Sequence, residues 1–457
     1  MIYNFKEKHM TSRKHTGPVG YTGFVHPAAQ INTKQFSIGG ASLVEPFVSL
    51  EGDSAKIGVA CNLQDNDRLL NFAAGGKEAQ GDLELGDGSF TAHGVTFIGK
   101  VRIGQACGTV INAVVQNAIV GDGTLIGPMA RVLGQDPLRP IVIPEASLVL
   151  FGARITSQEE VAANVIPVPA PFSIFAADVS EENLVLARGY NLLYRAAARL
   201  TPFSSVADDP RNPGADFPNV EQAFGKLSVA PPSVYRRGTG AIPARTAGFG
   251  DLTFERFEPE AGFAAPPAGS PAAGARFIVP RVASPELVDD QAIVLGGCDL
   301  GAGVHVGEGS CLHGADAPAV AIGKGTKIGR HSSVHELSLS SCRVGTDCVI
   351  GDRVVLHGPL EVGNRVKVGD GSVLFGPKIA DGVTIGAGAL VFGPVEVTAD
   401  VPDGAVIVPP GMEFLIAPTA SRNHGALPLS AMMLLQWMAI QEAGSSDCGL
   451  CALSLLG

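Results

Sequence analysis

The stretch Val344–Gly369 reads VGTDCVIGDRVVLHGPLEVGNRVKVG. An aliphatic residue followed by glycine recurs every six positions, at Val344-Gly345, Ile350-Gly351, Val362-Gly363 and Val368-Gly369. Leu356 keeps the beat, but His357 follows it instead of glycine. Working outward, the aliphatic positions fall into threes: Ile322, Ile328 and Val334; Val344, Ile350 and Leu356; Val362, Val368 and Leu374; Ile379, Ile385 and Val391. Most sets begin 17 or 18 residues after the previous one, and the first step is lengthened by the SLSSC loop. Three six-residue sides per coil describe a triangular prism, the left-handed parallel β-helix, whose corners admit only small residues.

The N-terminal half repeats the pattern less regularly, with Ile57, Leu63 and Leu69, then Leu85, Thr91 and Phe97, then Ile103, Thr109 and Val115. Each half ends in a helical pattern. Ser180 opens the first, with Glu181 and Glu182 in its first turn, Leu186, Tyr190, Leu193 and Ala197 on one face, and Pro202 at its end. Ser430 opens the second, with Met433, Trp437 and Ile440 on one face. The expected fold is therefore all-β with flanking helices: two left-handed parallel β-helices of hexapeptide repeats, each followed by an α-helix. The expected division is an arm over 1–20, a first prism and helix over 21–202, a Pro/Ala/Gly-rich linker over 203–283, a second prism and helix over 284–444, and a tail over 445–457.

Composition narrows the function. A net charge of −11 gives no reason to expect a nucleic-acid partner. The longest apolar stretch, Ala426 to Ile440, is interrupted by Pro428, Ser430 and Gln436 and is too short to span a bilayer. The basic N-terminus lacks the apolar core of a secretory signal, so a cytoplasmic protein is expected, with an organelle transit peptide left open. Six of the eight cysteines lie in or beside the repeats and read as small core residues. Cys448 and Cys451 form a C-x-x-C in the tail with no second pair to complete a zinc knuckle.

Side chains alternate across a strand, so with Leu356 pointing inward His357 points outward. His335 follows Val334 at the equivalent position one coil earlier. The two imidazoles then stack about 4.8 Å apart on one side of the prism, close enough to share a metal ion. Asp352 lies on the adjacent side, where it reaches an ion held by a neighbouring prism rather than by its own.

This arrangement resembles the γ-class carbonic anhydrases, left-handed β-helices that trimerise and hold zinc between subunits, two histidines coming from one subunit and the third from its neighbour. In DRVVLHGPLEVG, His357 with Gly358-Pro359 matches one family ligand and His335 another, while Asp352 stands where the ligand that crosses the interface belongs. The first half is similar to the same family, above all to the anhydrase-like domain of carboxysomal scaffold proteins. NLQDN matches the N-x-Q-D segment through Asn62, Gln64 and Asp65, and Asp53 fits the acid before it, although the family's arginine is Glu51 here. GDGSFTAHGVTFIG places His93 at the cross-subunit ligand, whereas Leu70 and Ile98 replace the other two. In the second half Gly329 and Arg330 replace the Gln-Asp pair.

The losses are complementary. If the two prisms pack as neighbours in a pseudo-trimer, one interface contains His93, His335 and His357. The resemblance then implies zinc on three imidazoles, with Gln64, Asp65 and Asp53 in the catalytic surroundings and CO2 or bicarbonate as substrate. Three other readings stand beside it: a His-Asp-His site using Asp352 in a trimer of second prisms, a structural or scaffold subunit of a larger assembly without catalytic metal, and a hexapeptide-repeat acyltransferase with His313 or His331 as base. Association through prism faces, as a homo-oligomer or pseudo-trimer, is expected.

Overall fold

The computed structural model describes residues 24–169 and 280–422, except 27, 40–41, 315–319, 337–340 and 419, together with 172, 234–235 and 426–427. The expected arm, both trailing helices, most of the linker and the tail with Cys448 and Cys451 lie outside the described residues.

Both halves are parallel β-solenoids built coil on coil. In the second, each inward position of the six-residue beat stacks on its counterpart in the next coil: Val334 on Leu356 on Leu374 on Val391 along one side, and Ile322 on Val344 on Val362 on Ile379 along another. Every inward residue expected from the sequence is 5% exposed or less. The glycines after these positions stand where coils touch, since a Cβ on Gly345 would lie 2.4 Å from the Gly363 carbonyl oxygen. A side chain there would force the coils apart.

The first prism is less regular for a visible reason. Ser49–Ile57, Thr96–Ile103 and Val114–Val120 each run round a corner, with a register shift between Ile98 and Val101, so two of the three sides merge into one nine-stranded sheet. Its interior also carries polar groups. Thr91 points inward and donates to the buried Asp67 carboxylate, which accepts the Val95 amide as well at 2.7 Å. A buried carboxyl is tolerable only when hydrogen-bonded in this way.

Two short strands depart from the expected organisation. Val234–Tyr235, inside the expected linker, pairs antiparallel with Val294 and Leu295. Arg281–Val282 already pairs with Asp299 and Leu300, slightly before the expected start of the prism. An open first coil exposes unpaired backbone groups, and a short added strand satisfies some of them.

The prisms pack against each other along one seam. Phe90, Leu125, Leu148 and Phe151 of the first meet Val373, Phe375, Leu390 and Phe392 of the second in a shared apolar cluster. Phe151 meets Phe392 edge-on with centroids 4.9 Å apart, and its backbone N–H donates to the Leu415 carbonyl at 2.8 Å. Phe151 is 1% exposed, and truncating a buried phenylalanine costs about 3–5 kcal/mol. Phe151→Ala should therefore lower the stability measured by urea denaturation by about that amount; a loss below about 1 kcal/mol would show that the seam does not hold the prisms together.

Candidate metal centre

The seam brings three histidines together. His335 ends the strand Ser333–His335 and His357 ends Val355–His357, and the two residues pair in register. Their rings lie 5.0 Å apart between centroids. His93, two residues beyond the strand Phe90–Thr91 of the first prism, approaches from the opposite side, 5.1 Å from the His335 ring and 5.7 Å from the His357 ring. One ligand nitrogen from each of the three lies within 4.8 Å of the others, and all three side chains are buried.

Two of the three imidazoles are held by contacts that leave coordinating capacity. His357 Nδ1 lies 2.8 Å from the Gly358 carbonyl; such a bond puts the proton on Nδ1 and the lone pair on Nε2. His93 Nδ1 lies 2.5 Å from Asp65 Oδ1, while its Nε2 has no hydrogen-bond partner among the described residues. His335 Nδ1 is likewise buried without one. An orphaned buried nitrogen carries a desolvation cost that a metal ion removes. A carboxylate behind a ligand histidine is the usual support of such a site. The residues present therefore fit a three-imidazole zinc ion, with a fourth position left for water or substrate.

Asp65 also ties the prisms together. Its carboxylate accepts from Ser333 Oγ of the second prism, and from Asn66 Nδ2 at 3.0 Å. Burial opposes charge on both Asp65 and His93, yet their mutual attraction and hydrogen bonding hold Asp65 below the usual carboxylate range and His93 above the usual imidazole range. Burial dominates on the second prism's column, outweighing the raising pull of the Asp65 charge on His313 and His357 and of the Gly358 contact on His357. It depresses His335 strongly, pushes His357 down to about 3, and pushes His313 down to about 4. Those rings are neutral at pH 7, the state a metal requires.

The expected residues separate into two groups. His93, His335, His357 and Asp65 are assembled, and Gln64 is buried beside Asp65 in the same wall. Asp352 is not brought in: Arg330 holds it at the outer corner, Nη2 to Oδ2 at 2.8 Å. It is thus corrected from a candidate ligand to a partner in an exposed ion pair. Asp53 is corrected likewise, since it sits half-exposed on the strand Ser49–Ile57 and bonds Lys34 Nζ at 2.7 Å. The arginine that the resemblance places two residues before Asp53 is Glu51 here, and Lys34 pairs with Asp53 instead.

His313 heads the same column, its ring 4.6 Å from that of His335, and Phe375 lies beneath His357 at 4.4 Å. His331, the other histidine considered as a base, sits at a corner with φ 53° and is not part of the cluster. Ser333 and Glu45 were not legible as site residues. Glu45 follows the inward Val44 as Gln64 follows Leu63, and that register was the available signal.

No protein-family model matches the chain, and no curated protein matches it. Among solved structures it is similar to a hexapeptide transferase family protein from Anaplasma phagocytophilum, at 21% identity over 37% of this chain and 90% of that one, with a TM-score of 0.22. It is also similar to a GDP-perosamine N-acetyl transferase from Caulobacter crescentus, at 23% identity over 31% of this chain and 55% of that one, TM-score 0.19. A UDP-N-acetylglucosamine acyltransferase from Campylobacter jejuni aligns over 93% of this chain and 84% of its own at 10% identity, TM-score 0.16. At these scores the likeness says nothing about chemistry.

The buried groups set a pH dependence for the metal-free protein. Below about pH 6.5 the unfolded chain takes protons on His313, His335 and His357 that the fold refuses, so stability falls as pH drops. Glu45, raised to about 8 by burial and then by the Asp65 charge, and Asp67, raised by burial, work oppositely, because the fold keeps protons that the unfolded chain has already lost. Three imidazoles outweigh two carboxyls on the acid side. Above about pH 6.5 only the proton-retaining groups, now including His93, contribute. The melting temperature in chelator should peak near pH 6.5; a flat profile from about pH 5 to 8 would contradict the assignment.

Proposed function

We propose that the chain is a zinc-dependent carbonic anhydrase, similar to the γ class, whose single centre is built by its two unlike prisms. The observation that supports this most is the convergence of one nitrogen each from His93, His335 and His357 within 4.8 Å in a buried seam. In this reading the three imidazoles hold zinc, and zinc so held supplies a water acidified to a pKa of about 7 for attack on CO2. Asp65 fixes the His93 ring and raises its basicity through the Nδ1 contact. Gln64, buried in the same wall, offers an amide for orienting water or bicarbonate. Phe375, Phe392 and Phe151 form an apolar floor below His357 that keeps bulk water from entering on that side.

Metal content per chain tests the reading. Protein repleted with zinc should retain one ion per chain and accelerate CO2 hydration. His357→Ala should lose the ion, whereas Asp352→Ala should keep it, because Asp352 is engaged with Arg330 away from the histidines. Asp65→Asn should weaken zinc binding about 10- to 100-fold. Wild type that stays metal-free after repletion would refute the anhydrase and favour a structural subunit of a larger assembly.

A further inference from the structure

Two of the three clustered histidines have one ring nitrogen engaged, which leaves the other for a metal. His93 Nδ1 meets the Asp65 carboxylate, and His357 Nδ1 meets the Gly358 carbonyl oxygen. His335 differs, because its Nδ1 is buried and finds no hydrogen-bond partner among the described residues. An imidazole that binds metal through one nitrogen carries a proton on the other, and that N–H needs an acceptor.

The surroundings of His335 narrow the choice. Glu336 follows it in the chain, but that carboxylate bears on Cys342, in the strand Cys342–Val344. The groups that bear on His335 are His313, His357 and His93. His357 and His93 belong to the ligand set, so His313 is what remains. It lies in the strand Cys311–Gly314, one coil earlier, and pairs with His335 in register. Its neighbour Leu312 points into the core between Val294 and Val334 and so anchors it. The two rings lie 4.6 Å apart, closer than any two rings of the ligand set, which are separated by 5.0, 5.1 and 5.7 Å. His313 is also 2% exposed. Below His357 the same column is filled by Phe375 and Phe392, rings that cost far less to bury than an imidazole. The nitrogens of His313 therefore call for a polar role.

We infer that His313 is a positioning residue for the metal centre: its neutral imidazole accepts the ring N–H of metal-bound His335, as Asp65 serves His93 and the Gly358 carbonyl serves His357. The inference rests on the three-histidine centre of the proposed function, though not on CO2 as its substrate. A neutral imidazole has one nitrogen with a free lone pair, which suits it to accept. At a tilt of 46° the two rings do not yet share a hydrogen bond, so the His335 ring turns as it takes up the ion.

Zinc affinity of the full chain, read by competition with a chromophoric chelator, tests this. His313→Leu removes the acceptor and keeps an apolar filling; His313→Gln keeps a carbonyl oxygen at similar reach. The zinc Kd should rise about 10- to 100-fold in His313→Leu and stay within about threefold of wild type in His313→Gln. A second readout needs no variant. In zinc-loaded wild type containing nitrogen-15 histidine, one ring N–H should show magnetic coupling across its hydrogen bond to a nitrogen of another imidazole. Equal affinity in wild type and His313→Leu, an equal loss in both variants, or the absence of that coupling would overturn the positioning role. Zinc-loaded wild type that shows the coupling but does not hydrate CO2 would refute the anhydrase and support the role of His313. Wild type that takes up no zinc would overturn both.

Discussion

In-register stacking of coils governs this molecule. Each coil sets its inward aliphatic directly over that of the coil before, at one strand spacing of about 4.8 Å. Glycine at the contact points follows from that closeness, as the 2.4 Å approach at Gly345 shows. So does the chemistry. Outward residues one position past the beat also stack, which places His313, His335 and His357 in a single column without any loop to position them. A ligand pair built on stacked strands is held by the core beneath it, and this is the rigidity that a metal site needs.

The second requirement is a partner face. The two prisms do not meet through equivalent sides. His93 corresponds by position to Asp352, and His335 and His357 correspond to Leu70 and Ile98, so the contact is head to tail rather than two-fold. The counterpart positions make no shared centre: Asp352 pairs with Arg330 in an exposed corner, and Leu70 and Ile98 are half-buried apolar residues. At these matched positions imidazoles stand where the seam closes, and Asp352, Leu70 and Ile98 stand where it does not. Ser333 donating to Asp65 across the seam fixes the register of one prism against the other at the level of the histidines.

Much of this was legible in the sequence because period and register are local properties. The six-residue beat identified the buried positions, and strand alternation predicted the stacking of His335 on His357. Resemblance supplied His93 and Asp65, and the complementary losses in the two halves suggested that they meet. What could not be read depends on contacts between distant segments. Ser333 is an ordinary outward serine until Asp65 faces it, 268 residues away in the chain. Glu45 gains meaning only from burial beneath a second prism. Asp53 and Asp352 failed for the converse reason: acids at matching positions take whichever cation the local surface offers, here Lys34 and Arg330.

Carrying both halves of the centre on one chain has a consequence for assembly. In a site shared between separate subunits, the half-sites meet only as often as the subunits associate, and dilution empties the site. Covalent linkage replaces that bimolecular encounter with an intramolecular one at a fixed effective concentration. On the proposed reading, the affinity of this centre for metal is then independent of how much protein is present. Each half is also freed to vary on its own unused faces, since every copy of His93 is synthesised together with its own His335 and His357.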